Sequence, residues 1–448
     1  MDQTDLTQGS VAKTLFRFAV PFLAATFLQF LYGAVDMMVV GRFSSPAGIT
    51  AVNTSSQLMQ MVTSVITGLT TGGTILIGQY KGAGEEREVS RTIGNMFTLF
   101  GGVAVVLTAV IALSANGLVA LMQTPAEAVE PAQQYLFICA CGTVFITGYN
   151  SVSGILRGLG DSKRPMYFIA ISCILNIIGD LILVGGFGLG AAGAAIATVA
   201  AQAVSFLLSL LVLRQGNFPF DFQPSSFGIQ AGRVRQLLRL GVPICLQDGL
   251  VTLSFVIITA IVNAIGLDES AAVGVVERII GFAMLIPIAF SSALAALTAQ
   301  NMGAGLPDRA KQGTFIATGA SLALSLLLFL PLQLVPKLAM GLFTDDASVI
   351  AHGALYLHTY SLDVLLVCFI FCLNGFYSGC GRTTFTMANG LTATFLVRVP
   401  LVFFFSRIPG ITLFQIGLAA PAASALQVIM QLVYFRTGRW SRSLLREQ

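Results

Sequence analysis

Asn176 to Thr198 reads NIIGDLILVGGFGLGAAGAAIAT: an amide and a carboxylate inside an apolar segment, a glycine-rich turn, then a second segment of small residues. In a helix, Asn176 and Asp180 stand four residues apart and share one face. A charged side chain at bilayer depth costs at least about 2.5 kcal/mol, so it normally faces a bundle interior or a watery cavity and marks an ion pathway. Thr198, on the following segment, is placed to add a hydroxyl oxygen to the same spot. The competing reading makes Asp180 a hydrogen-bonded structural residue, or one near the membrane surface.

The rest of the chain is of the same kind. Of 448 residues, 55% are hydrophobic and only 10% charged, with a mean hydropathy of +0.84. A soluble protein carries about 25% charged residues, so this is an all-α polytopic membrane protein. Twelve segments, from Leu15–Val40 to Gly417–Phe435, are each long enough to cross the hydrocarbon as a helix. Their apolar runs are continuous and lack the period of two that barrel strands require. The opening MDQTDLTQGS lacks the features of a signal peptide, so the first apolar segment is expected to stay. Seven cysteines show no CxxC or Cys/His spacing and read as small buried hydrophobes. The basic residues are scattered through short loops rather than gathered in one run, so the charge suggests no nucleic-acid partner.

Placing both termini in the cytoplasm puts nineteen Lys and Arg residues inside and leaves only Arg42, Lys337 and Arg407 outside. The chain also repeats. LFRFAVP (Leu15–Pro21) returns as LLRLGVP (Leu237–Pro243), and QYKGAG (Gln79–Gly84) as QNMGAG (Gln300–Gly305), at offsets of 222 and 221. RGLGDSKRPM (Arg157–Met166) is echoed more weakly by SGCGRTTFTM (Ser378–Met387). Six spans is an even number, so the second copy enters from the same side as the first. Two pseudo-twofold-related six-helix bundles are therefore expected: an N-terminal lobe over 1–214, a turn-rich cytoplasmic linker over 215–234, and a C-terminal lobe with a basic tail over 235–448.

These motifs carry a family resemblance. LFRFAVP, VDMMVVGR (Val35–Arg42), GQYKGAG, LRGLGDSKRPM, and N-x-x-x-D followed by GAAGAAIAT resemble the multidrug and toxic compound extrusion (MATE) transporters, over essentially the whole chain. The resemblance implies alternating access and export of organic, often cationic, compounds in exchange for protons or sodium. No cofactor is expected. A prokaryotic-type inner membrane, a monomer, and small cationic or amphipathic substrates follow from the same likeness.

After the loops are set aside, five acids (Asp36, Asp180, Asp248, Glu277, Asp363) face two bases (Arg278, Arg398) within the spans. Some acids must therefore be neutral or satisfied by a cation. A proton serves, and so does sodium, a hard ion that takes oxygen ligands such as Asp36, Asn176, Asp180 and Thr198 offer. These four positions resemble the MATE N-terminal cation site: an acid on span one, the N-x-x-x-D pair on span five, a threonine on span six. Asp36 also reads as an acid near the outer interface. Asp248, Glu277, Arg278, Asp363 and Arg398 form either a second charged site for ions or substrate, or a structural cluster. The resemblance puts glutamate where span seven has Asp248, which counts against a second cation site. Pro21 and its counterpart Pro243 each remove a backbone hydrogen bond from a leading helix, and Pro21 is the candidate hinge.

Three rivals remain. A lipid-linked saccharide flippase needs several basic residues in its cavity. A channel needs a ring of filter groups. An intramembrane enzyme needs paired catalytic groups, yet the two histidines, His352 and His358, form no HExxH motif.

Overall fold

The computed structural model describes residues 5–215, 218–220, 223 and 226–441. The tail arginines Arg442 and Arg446 and parts of the linker lie outside the described residues. Twelve helical spans among the described residues are long and apolar enough to cross a membrane, and none of those residues forms a strand. The first six are α1 (Val11–Phe43), α2 (Pro46–Gly82), α3 (Glu86–Leu121), α4 (Ala126–Gly158), α5 (Lys163–Asp180) running into a π-helical turn (Leu181–Gly186), and α6 (Gly190–Gln215). There follow α7 (Ala231–Asn263), α8 (Leu267–Gly303), α9 (Pro307–Leu334), the short α10 (Pro336–Gly341), α11 (Ala347–Tyr360), α12 (Leu362–Gly379) and α13 (Thr383–Ala393). A π turn (Thr394–Arg398), α14 (Val399–Ser406), α15 (Leu413–Gly417) and α16 (Ala419–Arg436) complete the chain of helices.

A helix bonds its own backbone, and here it also absorbs its hydroxyls. Thr63, Thr70 and Thr71 donate to the carbonyls of Met59, Ile66 and Thr67, each one turn back. That leaves these polar groups with no unmet bond in an apolar setting.

The repeated motifs become repeated geometry. In the α2–α3 turn Gly84 has φ +73° and the Glu85 N–H reaches the Tyr80 carbonyl; in the α8–α9 turn Gly305 has φ +73° and Leu306 N–H reaches Asn301. Gly160 and Gly381 close α4 and α12 in the same way, with Asp161 bonded to Leu156 and Arg382 to Tyr377. Each is a helix stop in which a left-handed glycine satisfies the last carbonyls. Packing repeats too. Gly158 of α4 lies against Thr74 O of α2, where an added Cβ would come within 2.8 Å; Gly379 of α12 lies against Ala295 O of α8, with 2.7 Å. Gly154 and Gly375 stand one turn earlier, so in each half the fourth span packs a G-xxx-G face against the second.

Two compact units emerge. One holds Val20–Cys245; the other holds Leu6–Ala19 and the chain from Leu246 on. In the first, a core of Val40, Ala51, Val52, Ile66, Leu136 and Ala194 joins α1, α2, α4 and α6. The opening turns of α7 belong to this unit, where Gly241 N lies 2.7 Å from a Cβ placed on Gly72. In the second unit, Leu15 and Phe18 pack with Phe290, Leu294 and Phe376. Leu6 is pinned there by its N–H to Gln300 Oε1 at 3.3 Å and by Asn301 Nδ2 donating to its carbonyl at 3.1 Å. Pro21 and Pro243 thus lie within three residues of the points where α1 and α7 pass between units.

The tenth span differs from the continuous Val349–Tyr377 helix that hydropathy predicts. It breaks at Ser361 into α11 and α12. Gln333 of α9 reaches in, its Nε2 donating to the His358 carbonyl at 2.8 Å and to Ser361 Oγ at 2.9 Å. A side chain that takes a ladder carbonyl breaks a helix there.

Candidate functional site

Asp36 sits on α1 seven residues before Phe43 ends it, yet only 8% of it is exposed; it faces the interior of its unit. Asp180 ends α5 and is fully buried, with Asn176 one turn before it at 1% exposure. Four-residue spacing aligns the α5 pair. The π turn that starts at Leu181 widens the helix immediately after Asp180, bonding Phe187 N–H to Ile182 O at 2.9 Å. Such turns shift side-chain register and recur at functional sites.

The four residues form two touching pairs. Asn176 Nδ2 donates to Thr198 Oγ1 at 3.2 Å, and the Tyr32 side chain lies close to Thr198. The carboxyl groups of Asp36 and Asp180 meet each other. An ionised carboxylate only accepts, so until a proton enters neither supplies a donor. Asp36 Oδ1, both oxygens of Asp180 and Asn176 Oδ1 are consequently buried acceptors with no hydrogen-bond partner among the described residues. Four orphaned oxygens from two helices are a donor set for a proton or a small hard cation.

A cavity of about 30 Å³ adjoins this group, lined among others by Gln29, Tyr32, Ser172, Asn176, Thr198 and Gln202. That exceeds the roughly 10–15 Å³ that one water occupies on this measure. It touches the amide and hydroxyl end of the site; Asp36 and Asp180 do not line it.

Sequence reasoning missed part of the surroundings. Tyr135 of α4 lies near Asp36 and meets Ser56 of α2 at 3.3 Å, with Cys139 one turn on. Tyr32 is the one neighbour that spacing could have found, since it precedes Asp36 by four residues on α1.

In the other unit the five charged residues do not come together as one group. Arg398, at the end of its π turn, donates Nη2 to Tyr360 Oη at 2.9 Å, and its guanidinium lies 4.2 Å from the centre of the Phe255 ring. Tyr356 stacks on Tyr360 at 5.1 Å. Glu277 and Asp363 are the acids in the field of Arg398, and Ser424 lies beside Asp363. Glu277 Oε1 and Asp363 Oδ1 lack partners, and neither acid closes to within ion-pair distance of Arg398. Asp248 and Arg278 stand apart from this trio; both are exposed and in no ion pair among the described residues.

The chain is thus a duplicated helical membrane protein with buried, unpartnered acids in both halves and an arginine set among aromatic rings in the second. The MatE family profile matches residues 21–182 and again 243–404, so the chain belongs to the MATE family of multidrug efflux transporters and is not an enzyme. Among its relatives, the probable multidrug resistance protein YpnP of Bacillus subtilis is 28% identical over 98% of each chain. YoeA, a probable multidrug resistance protein of the same organism, is 27% identical over 96% of this chain and 94% of its own. A solved multidrug resistance MATE family transporter in an outward-facing conformation shares the fold at TM-score 0.92, with 21% identity over 98% of each chain.

Proposed function

We propose that this protein is a secondary active exporter that moves small amphipathic, often cationic, organic compounds out of the cytoplasm, driven by inward movement of a monovalent cation through the Asp36–Asp180 site. The observation that carries this reading is the set of four buried acceptor oxygens that have no donor. A site of that kind is costly when empty and relieved when a proton or sodium enters. Asp36 and Asp180 take the coupling ion, while Asn176 and Thr198 hold their geometry and add oxygens. One monovalent cation crossing 100 mV releases about 2.3 kcal/mol, enough for roughly a fiftyfold gradient of a neutral substrate.

The two six-span lobes, 1–214 and 235–448 about the 215–234 linker, act as the alternating elements, with Pro21 as the hinge of α1. Both termini face the cytoplasm of a prokaryotic-type inner membrane, and the monomer suffices. Glu277, Asp363 and Arg398 act as a structural network, because Arg398 is already engaged by Tyr360 and Phe255.

The test is efflux of a fluorescent organic cation from energised vesicles, with proton and sodium gradients varied separately, comparing wild type with Asp180→Asn. Efflux driven by one gradient and lost in the variant is the expected result. Unchanged efflux in the variant would remove this site from coupling.

A further inference from the structure

Arg278 is the exposed base inside a membrane span that this reading leaves unused. It lies eleven residues into α8, roughly 16 Å along the axis from Leu267 at 1.5 Å per residue. An arginine facing lipid at such depth is costly and normally turns to a partner or a water-filled cavity. Its neighbour Glu277 is not that partner, because adjacent residues point about 100° apart and Glu277 lies in the field of Arg398. Asp248, the other exposed charge at depth in the unit, makes no ion pair with it.

The surroundings of Arg278 are open. Gly274 and Gly281, one turn to either side on the same face, have nothing within 4 Å of an added Cβ. The duplication says which kind of surface this is. At an offset of 221, Arg278 corresponds to Gln57 of α2, which is exposed and belongs to a polar stripe with Asn53 and Gln60. A stripe of amides along a membrane span faces water, not lipid.

We propose that Arg278, between the open glycines Gly274 and Gly281 on α8, is a recognition subsite for the carboxylate or phosphate group of an amphipathic substrate. The guanidinium supplies the planar pair of donors that such groups accept, and the glycines leave room for the body of the molecule beside it. The cargo of this transporter then includes organic anions and zwitterions, a narrower claim that rests on the exporter reading only in calling the ligand cargo.

The test uses purified full-length protein in detergent and a matched pair of dyes, tetramethylrhodamine with a free carboxylate and its methyl ester, with binding read by fluorescence polarisation. Arg278→Gln is expected to weaken the acid dye about tenfold while leaving the ester within about twofold. Arg278→Lys should restore much of the loss, and Gly274→Phe should weaken both dyes without lowering the unfolding temperature. Equal acid-to-ester ratios in wild type and Arg278→Gln would overturn the proposal, as would failure of the wild type to bind the acid dye or full binding by Gly274→Phe. Loss of gradient-driven efflux in vesicles, with the acid-to-ester split intact, would instead count against the exporter reading alone.

Discussion

Asp180 illustrates how one side chain ties stability to function. Its two oxygens lie near Asp36 in a buried site with no donor, an arrangement that burdens the resting fold and that a coupling site, as proposed here, would keep. Asp180→Asn introduces an amide N–H beside Asp36, so it should raise the unfolding free energy by about 1 kcal/mol even as it stops coupling. Thermal unfolding of the purified variant checks this; a lower midpoint contradicts the orphaned-acceptor account. Arg398 makes the opposite case. Tyr360→Phe removes the hydrogen bond that the Arg398 guanidinium donates at 2.9 Å and should cost about 1–3 kcal/mol, again by thermal unfolding. How far such residues can be read from sequence depends on whether they share a helix. Asn176 and Asp180 align because both lie on α5, and Tyr32 and Asp36 because both lie on α1. Tyr135 and Ser56 come from other helices, and no spacing announces them. Asp248 and Arg278 fit a cluster by residue count, but helix rotation turns both outward.

Among the helices, the G-xxx-G contacts are the most demanding. Gly158→Ala places a methyl 2.8 Å from Thr74 O and 3.0 Å from Ile77 Cβ, so α4 and α2 must separate. The equivalent Gly379→Ala meets Ala295 O at 2.7 Å. Each should destabilise by about 1–3 kcal/mol, and the two should add, since they lie in different units. Additivity is measured by unfolding the single and double variants side by side. Gly84→Ala fails for a different reason: nothing crowds it, but φ +73° costs a residue with a Cβ about 1–2 kcal/mol. The split of the tenth span at Ser361 was illegible in hydropathy, because its cause is Gln333 arriving from α9.

At the scale of the whole molecule, the two halves share the fold but not the Asp36–Asp180 pair. At offsets of 221 or 222, Asp36 falls on Ile257 or Ile258 and Asp180 on Leu401 or Val402. Ile258 and Val402 are buried in one apolar core, so the place of the acid pair in the first half is packed with aliphatics in the second. If the acid pair is the coupling site proposed above, the expected count is one coupling site per chain. Isothermal titration of the purified protein with the coupling ion should give a stoichiometry near one, falling to none in the Asp36→Asn variant. Orientation is testable separately. In a cysteine-free background, a cysteine at Glu85 should react with an impermeant thiol reagent only in inverted vesicles, and one at Ser44 only in right-side-out cells.

The sequence by itself determined the membrane class, the twelve spans, the duplication, and the shared face of Asn176 and Asp180, because hydropathy and helical periodicity are local properties that act along one segment at a time. Only the tertiary structure decided that Asp36 turns inward to Asp180, that Arg398 is claimed by Tyr360 and Phe255, and that Arg278 is left open beside two glycines. Those outcomes depend on the rotation of each helix against its neighbours, and that rotation is set by packing between residues far apart in the chain.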